Sequence, residues 1–206
     1  MIEALLQQHC RETGLYLAVN DIAALGKFAS LVAKWNRIFN LVASSSANDL
    51  FRNHVIDCLA AVPYLDGDHI VDVGAGAGFP GIVVAIMRRQ SMVTLVESSE
   101  RKSRFLRQVA IELSLANVEV VCERIENWRP LQAIDDIVCR GYGSLRKFYH
   151  DTSALHATSR RLVAMKGAPS SAEIHELQLD PAAISVQALA VQGWDHRHLV
   201  IVNCAR

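Results

Sequence analysis

Hydrophobic and polar positions along the chain change rhythm near residue 66. Before it, apolar residues recur at helical spacing: Ile22, Leu25, Phe28, Ala29, Val32, Trp35 and Phe39 share one face, with Lys27, Lys34 and Arg37 opposite. Asn20-Asp21 reads as the cap of this helix, and Ser44-Ser45-Ser46 with Asn48-Asp49 as a polar loop and a second cap. A second helix is expected from about Leu50 to Val62, with Leu50, Val55, Cys58, Leu59 and Val62 on one side, ended by Pro63.

After residue 66, short apolar runs alternate with helical patterns, as in a parallel sheet. Strands are expected at residues 70–73, 93–97, 118–122, 136–140 and 161–165. Ser98-Ser99 caps a helix to about Leu113 that buries Phe105, Leu106, Val109, Ala110 and Leu113. Residues 184–191 and 198–204 alternate around Gly193, as an antiparallel hairpin would. The reading is an α/β chain: an N-terminal helical extension (residues 1–66), then a Rossmann-like domain (67–206) whose sheet ends in that hairpin.

The two rhythms meet in His69-Ile70-Val71-Asp72-Val73-Gly74-Ala75-Gly76-Ala77-Gly78-Phe79-Pro80-Gly81-Ile82. A strand runs into glycines and at once into an apolar segment, Ile82 to Met87, so this is a strand, a tight turn and a helix start. Its glycines leave no side chains between the backbone and a ligand, and the amides of the new helix are expected to face that ligand. Two registers compete. Gly76-x-Gly78-x-x-Gly81 fits a dinucleotide fingerprint, whereas Asp72-x-Gly74-x-Gly76-x-Gly78 fits the acidic-then-three-glycine loop of S-adenosylmethionine (SAM) methyltransferases. Asp72 would repel a pyrophosphate but help hold a cationic amino acid, and Pro80 removes one backbone donor, so SAM is favoured. Ligands of such sheets sit beyond the carboxyl ends of the strands, which places Glu97 at the ribose and Ile125-Glu126 near the adenine edge.

Composition adds boundaries. The 206 residues are 51% hydrophobic and 20% charged, with Lys+Arg and Asp+Glu both 21, so a nucleic-acid partner requires a local basic patch. Arg101, Lys102, Arg104 and Arg107 on one helix supply a candidate patch, diluted by Glu100 and Glu112. Five scattered cysteines without a CxxC read as reduced, buried thiols, not as a disulfide frame or zinc site. With neither a basic-then-apolar leader nor a membrane-length apolar run, a soluble, cytoplasmic monomer is expected. His196-x-His198 has no partner ligands in sequence, so no metal is expected.

The chain resembles the RsmG family, also called glucose-inhibited division protein B. The likeness runs through Lys34-Trp35-Asn36, Asn40-Leu41, His54-x-x-Asp57, Asp72 to Ile82, Glu97-Ser98, Arg101-Lys102 and Arg104 to Val109. It continues through Arg124-x-Glu126, Arg140 and Lys166-Gly167. It departs where Asn53 replaces Arg, Cys58 replaces Ser, Ala75 and Ala77 replace Thr and Pro, and Gly141 replaces Ala, and in the order Arg101-Lys102. The resemblance implies a class I SAM-methyltransferase fold and methylation of N7 of guanine 527, in the 530 loop of bacterial 16S rRNA within the small ribosomal subunit. It also implies cofactor contacts from Gly74, Phe79, Ile125-Glu126 and Arg140. With Asp72, Gly76, Gly78 and Glu97 these make the expected cofactor site. Arg101, Lys102, Arg104, His54 and Lys166 are the expected RNA contacts.

Guanine N7 carries an available lone pair, so no base must first remove a proton and no catalytic side chain is expected. The residues agree with that. Strand four ends Cys139-Arg140-Gly141-Tyr142, without the Asn/Asp-Pro-Pro-aromatic motif for an exocyclic amine, and no Pro-Cys pair offers a nucleophile for pyrimidine C5. The alternatives left open are a SAM-dependent methyltransferase of another RNA or a small molecule, an NAD(P)-binding oxidoreductase, and a non-enzymatic RNA-binding protein.

Overall fold

The computed structural model describes residues 6, 10–11, 14–43, 46–191 and 196–204. Helix α1 is Val19–Phe39; it starts at Ala18, whose amide donates to the Asp21 carboxylate 3.3 Å away. Helix α2 (residues 47–61) is capped by Ser46, whose hydroxyl accepts the Asp49 amide at 3.1 Å, and it widens into a π-helical turn at Phe51–Val55. A 3-10 turn, Val62–Tyr64, ends it at Pro63.

The strands are β1 (His69–Val73), β2 (Met92–Val96), β3 (Val118–Val121), β4 (Ile134–Arg140), β5 (Ser159–Lys166), β6 (Ile184–Ala188) and β7 (His198–Asn203). They form one sheet in the order β3-β2-β1-β4-β5-β7-β6. The first five run parallel, while β7 pairs antiparallel with β5 and β6. The strand order reverses between β1 and β4, the position at which doubly wound sheets open a crevice for ligands. The mixed α/β fold is therefore the expected one. β6 stops at Ala188, short of the expected 191, and Gly193 and the turn around it lie outside the described residues, as do Ser44 and Ser45.

Helices α3 (Gly81–Met87), α4 (Glu100–Glu112), α5 (Leu145–Asp151) and α6 (Ser171–His175) complete the chain. Alternate strand residues face two apolar layers. Ile70, Leu95, Val138 and Val163 join α1–α4, while Val71, Val73, Ile137 and Leu162 join Leu145, Phe148 and Leu155. The N-terminal helices belong to the first layer: Phe28 is fully buried with its ring 4.9 Å from that of Phe79, and Trp35 lies 5.3 Å from Phe105. Phe28 and Phe105, both fully buried, each contribute about 1.5–3 kcal/mol by leaving water. Helix α1 thus packs behind the glycine loop through Phe28.

Candidate functional site

The loop between β1 and α3 folds onto itself. Gly74, Gly76 and Gly78 take φ of 69°, 56° and 91°, a region that side chains disfavour. Five of its amides point inward, and that of Gly81 at the helix start, expected to face a ligand, is among them. Those of Gly74 and Ala75 donate to the Val96 carbonyl at 2.8 and 3.2 Å, and that of Gly78 to the Ala75 carbonyl at 2.7 Å. The Gly76 amide donates to Glu97 Oε2 at 2.9 Å and the Gly81 amide to Asp72 Oδ2 at 2.7 Å. Two carboxylates thereby hold the loop.

Asp72 is fully buried beneath it. Burial pushes its carboxyl up to about 7, opposed by the Gly81 bond and assisted by the charge of Glu97. Its Oδ1 is buried without a hydrogen-bond partner among the described residues, and the side chain does not reach the cavity wall. Glu97 accepts the Ser99 amide through Oε1 at 2.8 Å, so it ties the loop to the N-terminus of α4. Both of its oxygens are engaged with backbone amides, a role that the strand-end position alone did not disclose. Gly78 faces inward as well: a Cβ there would lie 2.7 Å from Ile82 and 3.2 Å from Phe28. Its bareness serves packing.

A cavity of about 470 Å³ opens over Gly74, Gly76 and Phe79. His54, Lys102, Arg140 and Lys166 border it, so four of the side chains expected at the site are brought together. A smaller cavity of about 70 Å³ holds Ile125, Glu126 and Ser98. Arg101 and Arg104 are instead on the exposed face of α4, Arg101 above the Phe39 ring at 5.7 Å and Arg104 paired with Glu100 at 2.5 Å. Lys166 is paired with Glu173 at 2.6 Å, which offsets its charge.

Asp57 and Arg197 carry no role in the sequence reading, yet they organise the cavity's other wall. Asp57, 3% exposed on α2, meets Arg140 Nε at 3.2 Å and Arg197 Nε at 3.0 Å. Arg140 also donates to His54 Nδ1 and lies over the Phe79 ring at 5.7 Å, while the His54 ring stacks on Phe79 at 5.1 Å. Burial, followed by the charges of Arg140 and Arg197, lowers His54 to about 4, so its imidazole is neutral at pH 7. A lone carboxylate among Ile56, Cys58 and Leu59 was the available signal for Asp57; Arg197 offered none. Burial raises the Cys139 thiol well above its ordinary range, which suits a wall residue and not a nucleophile. The cysteines are free, but against the expectation of burial only Cys58 and Cys139 are buried; Cys10 and Cys204 are half-buried, and Cys122, which follows the edge strand β3, is exposed.

Among the described residues, no helix is long and apolar enough to cross a membrane, and no group of three His, Cys, Asp or Glu could hold a metal.

A family model described as rRNA small subunit methyltransferase G matches residues 21–200. The chain is 39% identical over 195 residues to "Ribosomal RNA small subunit methyltransferase G" of Pseudomonas aeruginosa, covering 94% of this chain and 91% of that protein. It is 40% identical over 190 residues to the protein of the same name from Laribacter hongkongensis, covering 92% of each. Among solved structures it is similar to magnesium protoporphyrin IX methyltransferase from Synechocystis PCC 6803 with bound SAM. That match has a TM-score of 0.58 at 16% identity, over 85% of this chain and 97% of that one. It is also similar to a METTL16 methyltransferase domain, with a TM-score of 0.60 at 14% identity over 87% and 96%. At such identities these structures speak for the fold alone, that of class I SAM methyltransferases.

Proposed function

The chain belongs to the rRNA small subunit methyltransferase G family, and from that premise we propose that it transfers a methyl group from SAM to N7 of guanine 527 in bacterial 16S rRNA. The observation that carries the cofactor is the inward turn of the loop amides. A dinucleotide turn must offer backbone donors to a pyrophosphate, whereas here the amides of Gly74, Ala75, Gly76, Gly78 and Gly81 are taken up by Val96, Glu97, Ala75 and Asp72. What remains is a bare wall at Gly74 and Gly76 with the Glu97 carboxyl behind it, which suits a cationic ligand.

In this reading, Gly74, Gly76 and Phe79 hold the cofactor's amino-acid half, with Asp72, Glu97 and Gly78 fixing the loop that does so. Glu97 also remains the candidate for the ribose, since each carboxylate oxygen has a second lone pair. Ile125 and Glu126 take the adenine. When bound, SAM supplies a methyl group on a sulfonium centre. The protein's own part is to bind, orient and exclude water, because guanine N7 needs no deprotonation. His54, neutral, offers a flat uncharged ring on Phe79 and acts as no base. Arg140, held by Asp57, contacts the cofactor at the mouth, where Lys102 brings positive charge for the RNA beside Lys166 and its partner Glu173; Arg101 and Arg104 extend the basic track along α4. Residues 1–66 act as an extension that shapes this mouth, and the cytoplasm is the compartment of the reaction.

The test is to incubate the protein with methyl-labelled SAM and small subunits from a strain lacking the enzyme, and to map the modified base. Label on N7 of guanine 527 is expected. Label elsewhere, or none, would overturn the assignment.

A further inference from the structure

We infer that Tyr142 is a cofactor-contact residue, the partition across which SAM lies as it passes from the large cavity into the small one. This rests on the SAM reading above and adds a side chain that the glycine loop and strand ends do not disclose. Three observations carry it. Gly74 and Tyr142 are the residues common to the walls of both cavities. The Tyr142 ring lies directly on the first loop glycine: a Cβ at Gly74 would meet its Cδ2 at 2.9 Å and its Cε2 at 3.2 Å. The residue is also held from both ends. Its hydroxyl donates to Asp151 Oδ2 at 2.8 Å, Lys147 caps the ring 5.2 Å from its centroid and pairs with the same Asp151, and Phe148 meets the ring edge-on at 5.9 Å.

The backbone around it is built to place the ring. Gly141 and Gly143 flank Tyr142 at φ of 66° and 129°, so the chain turns sharply out of β4 and lays the ring back over the loop. A ligand with one end over Gly76 and the other beside Ile125 must cross the Gly74–Tyr142 junction. There it meets the Tyr142 ring, whose π-electrons attract a positively charged centre. Tyr142 thus serves affinity and distinguishes a sulfonium from its neutral thioether product.

The experiment uses the full chain with fluorinated tyrosine at its four tyrosines, Tyr16, Tyr64, Tyr142 and Tyr149. The resonance absent from Tyr142→Phe is that of Tyr142. Calorimetry on the wild type first establishes that SAM and S-adenosylhomocysteine bind; absence of binding would defeat the cofactor reading itself. Given binding, the Tyr142 resonance should shift on titration, and Tyr142→Leu should weaken SAM about tenfold and the thioether less. Tyr142→Phe, which keeps the ring, should stay within about threefold of wild type. An unmoved Tyr142 resonance, or equal losses for both ligands in Tyr142→Leu, would overturn the inference while leaving the cofactor reading standing.

Discussion

Glu97 accepts the Gly76 amide at 2.9 Å while its other oxygen accepts the Ser99 amide at 2.8 Å. One side chain at the tip of β2 thus fixes both the glycine loop and the start of α4. Glu97→Ala should lower stability by about 2 kcal/mol, roughly 4–8 °C in Tm, since two charge-assisted bonds to half-buried amides are lost. SAM affinity should fall by about tenfold or more. Calorimetry and thermal unfolding check this; unchanged affinity would remove Glu97 from the site.

Asp57 joins α2 to both β4 and the start of β7 through Arg140 and Arg197. Asp57→Ala leaves two guanidinium groups facing each other without their shared counter-ion. Urea unfolding should show a loss of about 3 kcal/mol. A change below about 1 kcal/mol would mean that the clamp is dispensable.

Gly81→Ala tests the packing of the loop on its carboxylate. A Cβ at this position would lie 2.2 Å from Leu95 Cδ2 and 2.6 Å from Asp72 Oδ2, both on fully buried side chains that cannot yield cheaply. The expected cost is about 1–3 kcal/mol, with loss of the Asp72 bond and weakened SAM binding. Wild-type stability and affinity would contradict the arrangement.

His54 sets a pH dependence. Its folded value of about 4 lies below the ordinary 6.5, so the fold binds fewer protons than the unfolded chain. The stability it contributes is complete above pH 6.5 and is lost as pH falls towards 4, up to about 3 kcal/mol. Denaturant midpoints at pH 7 and pH 4.5 should differ more for wild type than for His54→Gln. Equal differences would place the titration elsewhere.

The strands β1, β2, β4 and β5 were legible to within two residues or so because parallel strands buried on both faces are continuous apolar runs. The loop was legible because Gly74, Gly76 and Gly78 follow Asp72 at fixed offsets. The direction of its amides was not, since it depends on which carbonyls and carboxylates lie beneath. His54 and Arg140 are 86 residues apart, and no local pattern pairs them. The short helices α5 and α6 and the π-turn also escaped. Helix α5 is set by tertiary packing of Leu145 and Phe148, α6 by little more than its Ser170 cap and the π-turn by the site around His54, not by periodicity in a window of five to seven residues.

The most direct measurement is calorimetric titration of the wild-type chain with SAM and, separately, with NAD. A glycine wall whose amides are spent on Glu97 and Asp72 should bind SAM at one per chain and give no heat with NAD. Saturable NAD binding with no response to SAM would contradict it.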